Sequence, residues 1–196
     1  MIVPLDRSHV RDVARLHCES LTGLVSELGP SAARAFHAGC VGAGAGSARG
    51  FVAIEDGKLA GFVSGSIQPG EMRREILRRN PFGTLAGLAV GILRSPRALV
   101  SLVKSFRGPD EGSYDEGSAE LTYLVVDTGF RGAGIGHRLV EAFTEAMREA
   151  GAPSYELSVD DVNSRAATFY EGLGFRLVGR YREFGIAHRR YRLDLD

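Results

Sequence analysis

The sequence predicts an α/β protein whose central sheet carries helices on both faces. Two observations lead to this fold class. Short apolar runs typical of strands are interspersed with stretches in which apolar residues recur every three or four positions, as in helices. The predicted order is β-α-α-β-β, an insert, and then β-α-β-α-β-β, and such an alternation builds a sheet covered by helices.

The composition is that of an ordinary globular domain without a global charge. The 196 residues are 44% hydrophobic and 24% charged, with 24 basic and 24 acidic side chains. A neutral chain of this length forms one core and has no general attraction for nucleic acid. We therefore expect a single domain over residues 1–196 that binds no nucleic acid.

Neither the cysteines nor the hydropathy pattern indicates secretion, a metal site or a membrane. Cys18 and Cys40 are too few for a disulfide framework, and no CxxC or HExxH spacing occurs. The N-terminal residues lack the apolar core of a signal peptide, and the longest apolar run, 85–93, is much shorter than a membrane span. We expect a cytoplasmic protein with no metal and no membrane span.

The first part of the chain contains a strand, two helices and a hairpin. Periodicity predicts a strand over 2–5, a helix over 9–20 with Val10, Val13, Ala14, Leu16 and His17 on one face, and a helix over 31–41. The glycine-rich residues 42–50 are expected to form a flexible connector. Two apolar runs joined at Asp56-Gly57 then predict a hairpin over 51–67.

A basic insert, residues 71–118, interrupts the regular order. Helical spacing predicts helices near 85–93 and 99–106, followed by an acidic loop. Residues 71–107 contain eight basic and two acidic side chains, and the difference leaves +6. Three interpretations stay open: recognition of an acidic acceptor, a helical lid whose arginines are merely solvated, and a basic helix on an anionic membrane or another protomer.

The regular alternation resumes after the insert. We predict a strand over 120–126 and then a helix that turns Leu139, Val140, Phe143, Met147 and Ala150 inward. A strand over 155–159, a helix over 164–174 and two closing strands near 175–183 and 187–195 complete the chain.

The stretch GFRGAGIGHR, residues 129–138, indicates a phosphate site. Its glycines fit neither a P-loop nor a dinucleotide fingerprint, but they do fit R-x-x-G-x-G over 131–136, after a strand and at the start of a helix. The free amides and the dipole of a helix N-terminus attract a pyrophosphate. The alternative is a glycine-rich turn that binds no ligand.

A second motif, NSRAATFYEGLGF at 163–175, extends this interpretation. Together with LVVDTGFRGAGIGHR it resembles the GNAT family of acetyl-CoA-dependent N-acetyltransferases. The resemblance is sharp over 119–182, rests on element order over 1–68, and leaves the insert uncovered. It implies the GNAT acyltransferase fold: a mixed central sheet with helices on both faces and a helical insert before the central strand.

The resemblance also implies a site for acetyl-CoA. Leu124, Val125 and Val126 would offer backbone groups to the pantetheine arm, where the strands of the family separate. The pyrophosphate would lie on the loop residues Arg131, Gly132, Ala133, Gly134, Ile135, Gly136 and His137. Asn163 would hydrogen-bond the pantetheine arm, or serve only as a helix N-cap.

The implied reaction is direct attack of a primary amine on the thioester. Glu120 is the candidate general base and Tyr170 the candidate general acid, while the alternatives are a solvated carboxylate and a packing residue. A lysine-like amine with a pKa of about 10.4 is neutral to only about 1 part in 2,500 at pH 7, so a base matters much more for it than for an α-amine.

The expected partners are acetyl-CoA and a primary-amine acceptor, and a homodimer stays open. A small acceptor such as an amino sugar is the leading expectation. A protein or peptide amine and a non-catalytic acyl-CoA-binding module are the alternatives. Branches that acetylate protein N-termini can carry a Glu where this chain has Ser158, and Glu156 or Asp160 could substitute for it.

Overall fold

A computed structural model describes residues 1–41, 47–71, 78, 81–94, 118–183 and 185–195. Seven strands form one sheet in the order β1-β2-β3-β4-β5-β7-β6. The strands are β1 (Ile2–Pro4), β2 (Ala48–Glu55), β3 (Lys58–Ser66), β4 (Ala119–Val126), β5 (Ser154–Asp160), β6 (Arg176–Glu183) and β7 (Ile186–Asp194). Neighbours β4 and β5 pair in parallel, and the other neighbouring pairs are antiparallel. The sheet is therefore mixed, as predicted.

Helices cover both faces of this sheet. They are α1 (Val10–Ser20), α2 (Leu24–Leu28), α3 (Pro30–Gly39), α4 (Pro81–Arg94), α5 (Ile135–Glu149) and α6 (Ser164–Gly172). Leu139 and Phe143 of α5 and Tyr170 of α6 belong to a first core cluster. Val13 and Leu16 of α1 belong to a second cluster on the opposite face. This arrangement confirms the predicted fold class.

Helix α1 has the amphipathic face that its periodicity predicts. Its buried residues are the five expected ones, Val10, Val13, Ala14, Leu16 and His17. The inward face of α5 is also confirmed for Leu139, Val140, Phe143 and Met147, while Ala150 instead caps the helix C-terminus. The spacing of apolar residues thus located the buried faces better than the helix ends.

The prediction of a flexible connector over 42–50 is wrong for its last three residues. Residues 48–50 begin β2, and a Cβ added to Gly50 would lie 3.1 Å from Leu5 Cδ2. This glycine therefore permits a close approach between β2 and the segment after β1. The five-residue helix α2 was not predicted, because so short a segment leaves little periodic signal.

The turn between β2 and β3 adopts the conformation that Asp56-Gly57 favours. Both residues have positive φ, 50° at Asp56 and 72° at Gly57. A positive φ at both central residues is typical of the type I′ turn of a two-residue hairpin. The hairpin prediction is confirmed.

The described part of the insert contains α4, which begins four residues before the predicted 85. Ile92 packs against Leu24, Leu28 and Ala32 on α2 and α3, whereas Leu85 and Leu93 are exposed. The predicted helix over 99–106, the acidic loop and most of the basic side chains lie outside the described residues. None of the described helices is long and apolar enough to cross a membrane.

Candidate active site

The loop after β4 exposes backbone amides at the start of α5. Asp127 Oδ1 accepts a hydrogen bond of 2.8 Å from the amide of Gly129 and so shapes the turn that follows the strand. Gly132 and Gly134 have φ of 84° and 71°, in the left-handed region that favours glycine. A Cβ at either position would meet nothing within 4 Å, so the space in front of this backbone is open.

The first turn of α5 has the free donors that an anion needs. No side chain caps the helix, and its first intrahelical hydrogen bond runs 3.1 Å from the amide of Arg138 to the carbonyl of Gly134. The amides of residues 135–137 precede that bond and point out of the helix N-terminus. This geometry fits a pyrophosphate, because unpaired amides and the helix dipole both favour negative charge.

Strands β4 and β5 separate immediately beside this loop. They pair only at Ala119 with Tyr155 and at Glu120 with Glu156. Farther along β4 the pairing with β3 continues as far as Val126, while β5 is paired with β7. A gap therefore opens in the sheet between β4 and β5.

A cleft of about 530 Å³ occupies this region. Most predicted site residues line it, namely Leu124, Val125, Val126, Arg131, Gly132, Gly134, Ile135, Gly136, His137, Asn163 and Tyr170. Ala133 and Glu120 do not. The cleft is also lined by Leu21, which packs on the second core cluster, whereas Tyr170 belongs to the first. The cleft thus has walls from both faces of the sheet.

Tyr170 is held rigidly at the wall of the cleft. Its side chain is buried, and the rings of Phe169 and Phe175 lie 5.1 and 5.4 Å from it, centre to centre. Burial raises the pKa of Tyr170 well above its ordinary value. The hydroxyl therefore keeps its proton throughout the neutral range, which is the state that a proton or hydrogen-bond donor needs.

Asn163 serves as the N-cap of α6, one of the two roles that the sequence left open. Its Oδ1 accepts a hydrogen bond of 3.1 Å from the amide of Ala166. The residue also lines the cleft, so the cap fixes its side chain at the cleft wall.

Glu120 lies on the opposite face of the sheet from Tyr170. Its neighbours in β4, Ala119 and Leu121, both belong to the first core cluster, so strand alternation turns Glu120 toward the other face. There its Oε1 accepts a hydrogen bond of 3.0 Å from Arg190 Nη1. Glu120 is therefore an ion-paired carboxylate, which neither of the two sequence interpretations included.

The other two carboxylates considered near Ser158 are already engaged. Glu156 is buried and accepts hydrogen bonds from Arg190 and Arg192. Asp160 Oδ1 lies 3.1 Å from His188 Nδ1. Arginines engage both oxygens of Glu156, and a role for either carboxylate in place of a Glu at Ser158 stays a prediction.

A buried aromatic group lies on the same face as Glu120. His17 Nδ1 and His37 Nε2 are 3.2 Å apart, and both rings contact Tyr123 of β4. Burial lowers the pKa of His17 to about 4 and that of His37 to about 3, so both imidazoles are neutral at neutral pH. Burial likewise raises the pKa of Tyr123.

Sequence reasoning missed several residues around the cleft. Three further lining residues are Arg165, Ala166 and Phe169. They belong to the motif at 163–175, so a prediction that α6 runs beside the loop would have indicated them. Phe130, inside the stretch 129–138, lines it too, as do Ser20 and Leu21, which no pattern in the sequence indicates. No group of residues in the described part of the chain could hold a metal ion.

Comparisons with known proteins agree with this geometry. Residues 11–175 match the profile described as Acetyltransferase (GNAT) family. A mycothiol acetyltransferase of Beutenbergia cavernae is 35% identical over 72 residues, which are 37% of this chain and 24% of that protein. The chain thus matches about a quarter of the length of this curated relative.

Solved structures share the fold along the whole chain. One described as an acetyltransferase has a TM-score of 0.65 at 21% identity and is covered completely, as is this chain. A chain of the NatC complex, solved with Gag peptide and CoA, has a TM-score of 0.58 at 14% identity, with 100% of this chain and 98% of that one covered. At such identities the likeness concerns the fold. With the family match over residues 11–175, the chain belongs to the GNAT acetyltransferase family.

Proposed function

We propose that this protein transfers an acetyl group from acetyl-CoA to the primary amine of a small molecule, such as an amino sugar. The observation that carries the proposal is the cleft at the separation of β4 and β5, which has free helix amides at one end and walls from both faces of the sheet. A cosubstrate held on the α5 and α6 side can meet an acceptor that arrives from the other face.

The residues that line the cleft supply the binding groups. The amides of residues 135–137 and the guanidinium of Arg131 suit the pyrophosphate, and the β4 residues Leu124, Val125 and Val126 suit the pantetheine arm. When bound, acetyl-CoA supplies an activated thioester. The orientation of Tyr170 and Asn163 at the wall then decides how the thioester is presented.

Two proton transfers are assigned to residues of this chain. Glu120 accepts a proton from the acceptor amine, directly or through one water, so that the nitrogen has a free lone pair as its bond to the acetyl carbon forms. Tyr170 donates a hydrogen bond, and finally its proton, to the sulfur as the C–S bond breaks. The nitrogen loses its second proton to water once its bond to the acetyl carbon has formed. Glu120 then releases its proton to water and Tyr170 regains one, so each transfer releases one proton overall.

The choice of a small acceptor rests on two supports. The matched curated relative is named a mycothiol acetyltransferase, which favours a small molecule over a protein. In addition, arginines hold both oxygens of Glu156, which counts against Glu156 as the substitute for a Glu at Ser158 in N-terminal acetylation. A protein or peptide amine remains the second candidate.

We further propose that the protein works in the cytoplasm. Neither Cys18 nor Cys40 forms a disulfide. Cysteines that form no disulfide are typical of proteins from reducing compartments.

Acetyl-CoA-dependent thiol release tests the proposal. The purified chain is assayed with amino sugars, nucleotide-linked amino sugars, polyamines, aminoglycosides and peptide amines, and acetyl-CoA binding is measured separately by calorimetry. We expect binding and turnover with a small amine. Turnover with peptide amines alone would contradict the proposed small acceptor and favour a protein or peptide amine. Absence of acetyl-CoA binding would contradict the proposal that the cleft binds acetyl-CoA.

The base assignment has its own test. Glu120→Gln keeps the size of the side chain but cannot accept a proton, so we expect kcat to fall by about 10² to 10⁴-fold with unchanged affinity for acetyl-CoA. Glu141→Gln makes the same change at an exposed position of α5 and should leave kcat unaltered. Equal activity of the two variants would show that Glu120 is not the base.

A further inference from the structure

Arg190 is the centre of a hydrogen-bonded group that connects four strands. Its Nη1 donates to Glu120 Oε1 at 3.0 Å and to Ser158 Oγ at 2.9 Å, and its Nε donates to Glu156 Oε2 at 2.7 Å. Tyr181 of β6 donates to the same Ser158 Oγ at 2.9 Å. Arg190 is only 4% exposed, and groups on β4 and β5 bind it in one orientation.

This group lies at the last point where β4 and β5 pair. Glu120 and Glu156 are register partners, and the strands separate immediately beyond them. The ion pairs from Arg190 to both carboxylates therefore join the two halves of the sheet at the base of the cleft. Charge-assisted hydrogen bonds in such a buried place fix the positions of the groups that they connect.

The two carboxylate oxygens of Glu120 have different surroundings. Oε1 accepts the bond from Arg190, whereas no residue in the described part of the chain donates to Oε2. The structure thus fixes one oxygen, while none of the described residues occupies the other. This is the arrangement that a general base requires, because the anchored oxygen sets the direction of the one that takes the proton.

We propose that Arg190 is a positioning residue for acetyl transfer, which holds Glu120 through one carboxylate oxygen and so orients the other toward the acceptor amine. The inference rests on the proposed function, since it assigns a support to the proposed base. Arg190 touches neither acetyl-CoA nor acceptor in this role. It acts entirely through Glu120.

Several charged or titratable groups act on Glu120 from the elements around it. Arg190 on β7 is the cation, Glu156 on β5 is the register partner of Glu120, and Glu183 on β6 acts electrostatically on the same tyrosines as Glu120 does. Tyr123 on β4 and Tyr181 on β6 are coupled to Glu120 electrostatically, and burial raises the pKa of both tyrosines, so they stay neutral. Arg190 is accordingly the group whose removal changes the charge beside Glu120 most.

Arg192 offers a matched control on the same strand. Its Nε donates to Glu156 Oε1 at 2.8 Å, but it makes no hydrogen bond to Glu120. Glu156 loses one of its two arginine partners in either Arg190→Gln or Arg192→Gln and keeps the other partner. Only Arg190→Gln removes the partner of Glu120.

The test measures the titration of Glu120 itself and the pH dependence of catalysis. The protein is labelled with ¹³C at the glutamate carboxyl carbons, and the Glu120 signal is identified by its loss in Glu120→Gln. In Arg190→Gln we expect the titration midpoint to rise relative to the wild type, because a carboxylate without its cation binds a proton more readily. Arg192→Gln should leave the midpoint near the wild-type value, and Arg190→Lys should restore most of the shift.

Kinetics with acetyl-CoA and D-glucosamine, or the best amine of the panel if it is better, complete the test. The acid limb of kcat/KM in Arg190→Gln should move with the NMR midpoint, while the KM for acetyl-CoA stays within about twofold of wild type. Arg190→Gln should lower kcat/KM only slightly in a protein that already carries Glu120→Gln, because the two substitutions remove the same function.

Different failures are distinguishable. An unmoved midpoint in Arg190→Gln, or equal shifts in the two arginine variants, would overturn the positioning role. A moved midpoint without a moved acid limb would also overturn it, because Glu120 would then not be the base. If Arg190→Gln fails to fold, Arg190→Lys against Arg192→Lys gives the same comparison with the charge retained and the hydrogen-bond geometry altered.

Discussion

At the scale of single residues, a substitution of Tyr170 can distinguish a catalytic role of its hydroxyl from a packing role of its ring. It lines the cleft, is buried, and belongs to the first core cluster. Tyr170→Phe keeps the ring and its contacts but removes the proton donor. We therefore expect kcat to fall by about 10²-fold or more, with little change in affinity for acetyl-CoA, as measured by single-turnover kinetics and calorimetry.

Tyr191→Phe is the matched control for that experiment. Its hydroxyl donates to Glu171 Oε1 at 2.8 Å, and the residue is equally buried but does not line the cleft. The control should retain the wild-type kcat. Full activity of Tyr170→Phe would mean that Tyr170 only packs against Phe169 and Phe175.

Residues of the site differ in how far the sequence could indicate them. The loop residues 131–137 are contiguous and carry the glycines that their backbone angles require, so the sequence predicted a phosphate site there from local chemistry alone. Arg190 stands 70 positions from Glu120, in an arginine-rich strand without a motif. Strand order and register decide which residues become partners across the sheet, and the periodicity of the sequence predicts neither of them.

At the scale of elements, the contact between β3 and β4 depends on a glycine. A Cβ at Gly65 would lie 2.0 Å from the carbonyl oxygen of Glu120 and 2.7 Å from Phe143 Cζ. Because the nearer atom is backbone, the strands would have to move apart. We expect Gly65→Ala to lower the free energy of unfolding by about 1–3 kcal/mol, as measured by urea denaturation.

Gly179→Ala in β6 provides the comparison. A Cβ there would meet nothing within 4 Å, and Gly179 is not among the glycines with positive φ. This variant should be nearly as stable as the wild type. If the two variants unfolded at the same urea concentration, the close approach at Gly65 would not be a constraint on the sheet.

The elements themselves were largely predictable, and their irregularities were not. Apolar spacing located α1 and α5, because each helix buries one continuous face, and two apolar runs around Asp56-Gly57 located the β2–β3 hairpin. The register shift of β3 against β4 between Ser64 and Gly65 has no such signal. It arises where the backbones approach most closely, and it brings Tyr123 and Val125 of β4 onto the face that carries Glu120.

At the scale of the whole molecule, the cleft exists because the sheet is divided. β3 holds β4 on one side and β7 holds β5 on the other, while β4 and β5 share only two register pairs. The motifs on either side of this division could be found in the sequence. The division itself depends on the competition of strands for neighbours, so it entered the prediction only through the family resemblance.

The two cores on either side of the sheet should respond differently to acid, because only the second one contains a buried histidine pair. The pKa of His17, about 4, and that of His37, about 3, lie below the ordinary value of 6.5 as a result of burial. The unfolded chain therefore binds more protons below pH 6.5. The stability present above that pH is progressively lost as the pH falls from 6.5 through 4.

Urea denaturation between pH 7.5 and 4.5 measures this loss. His17→Leu/His37→Leu removes both members of the pair, so no imidazole is left without its partner, and we expect a smaller decrease of stability over this range than in the wild type. His137→Gln, at an exposed position, should keep the wild-type dependence. Carboxylates such as Asp161, whose pKa is lowered by its hydrogen bond from Arg189, act only at lower pH. Equal slopes for the wild type and the double variant would therefore show that this pair does not govern the acid stability of the fold.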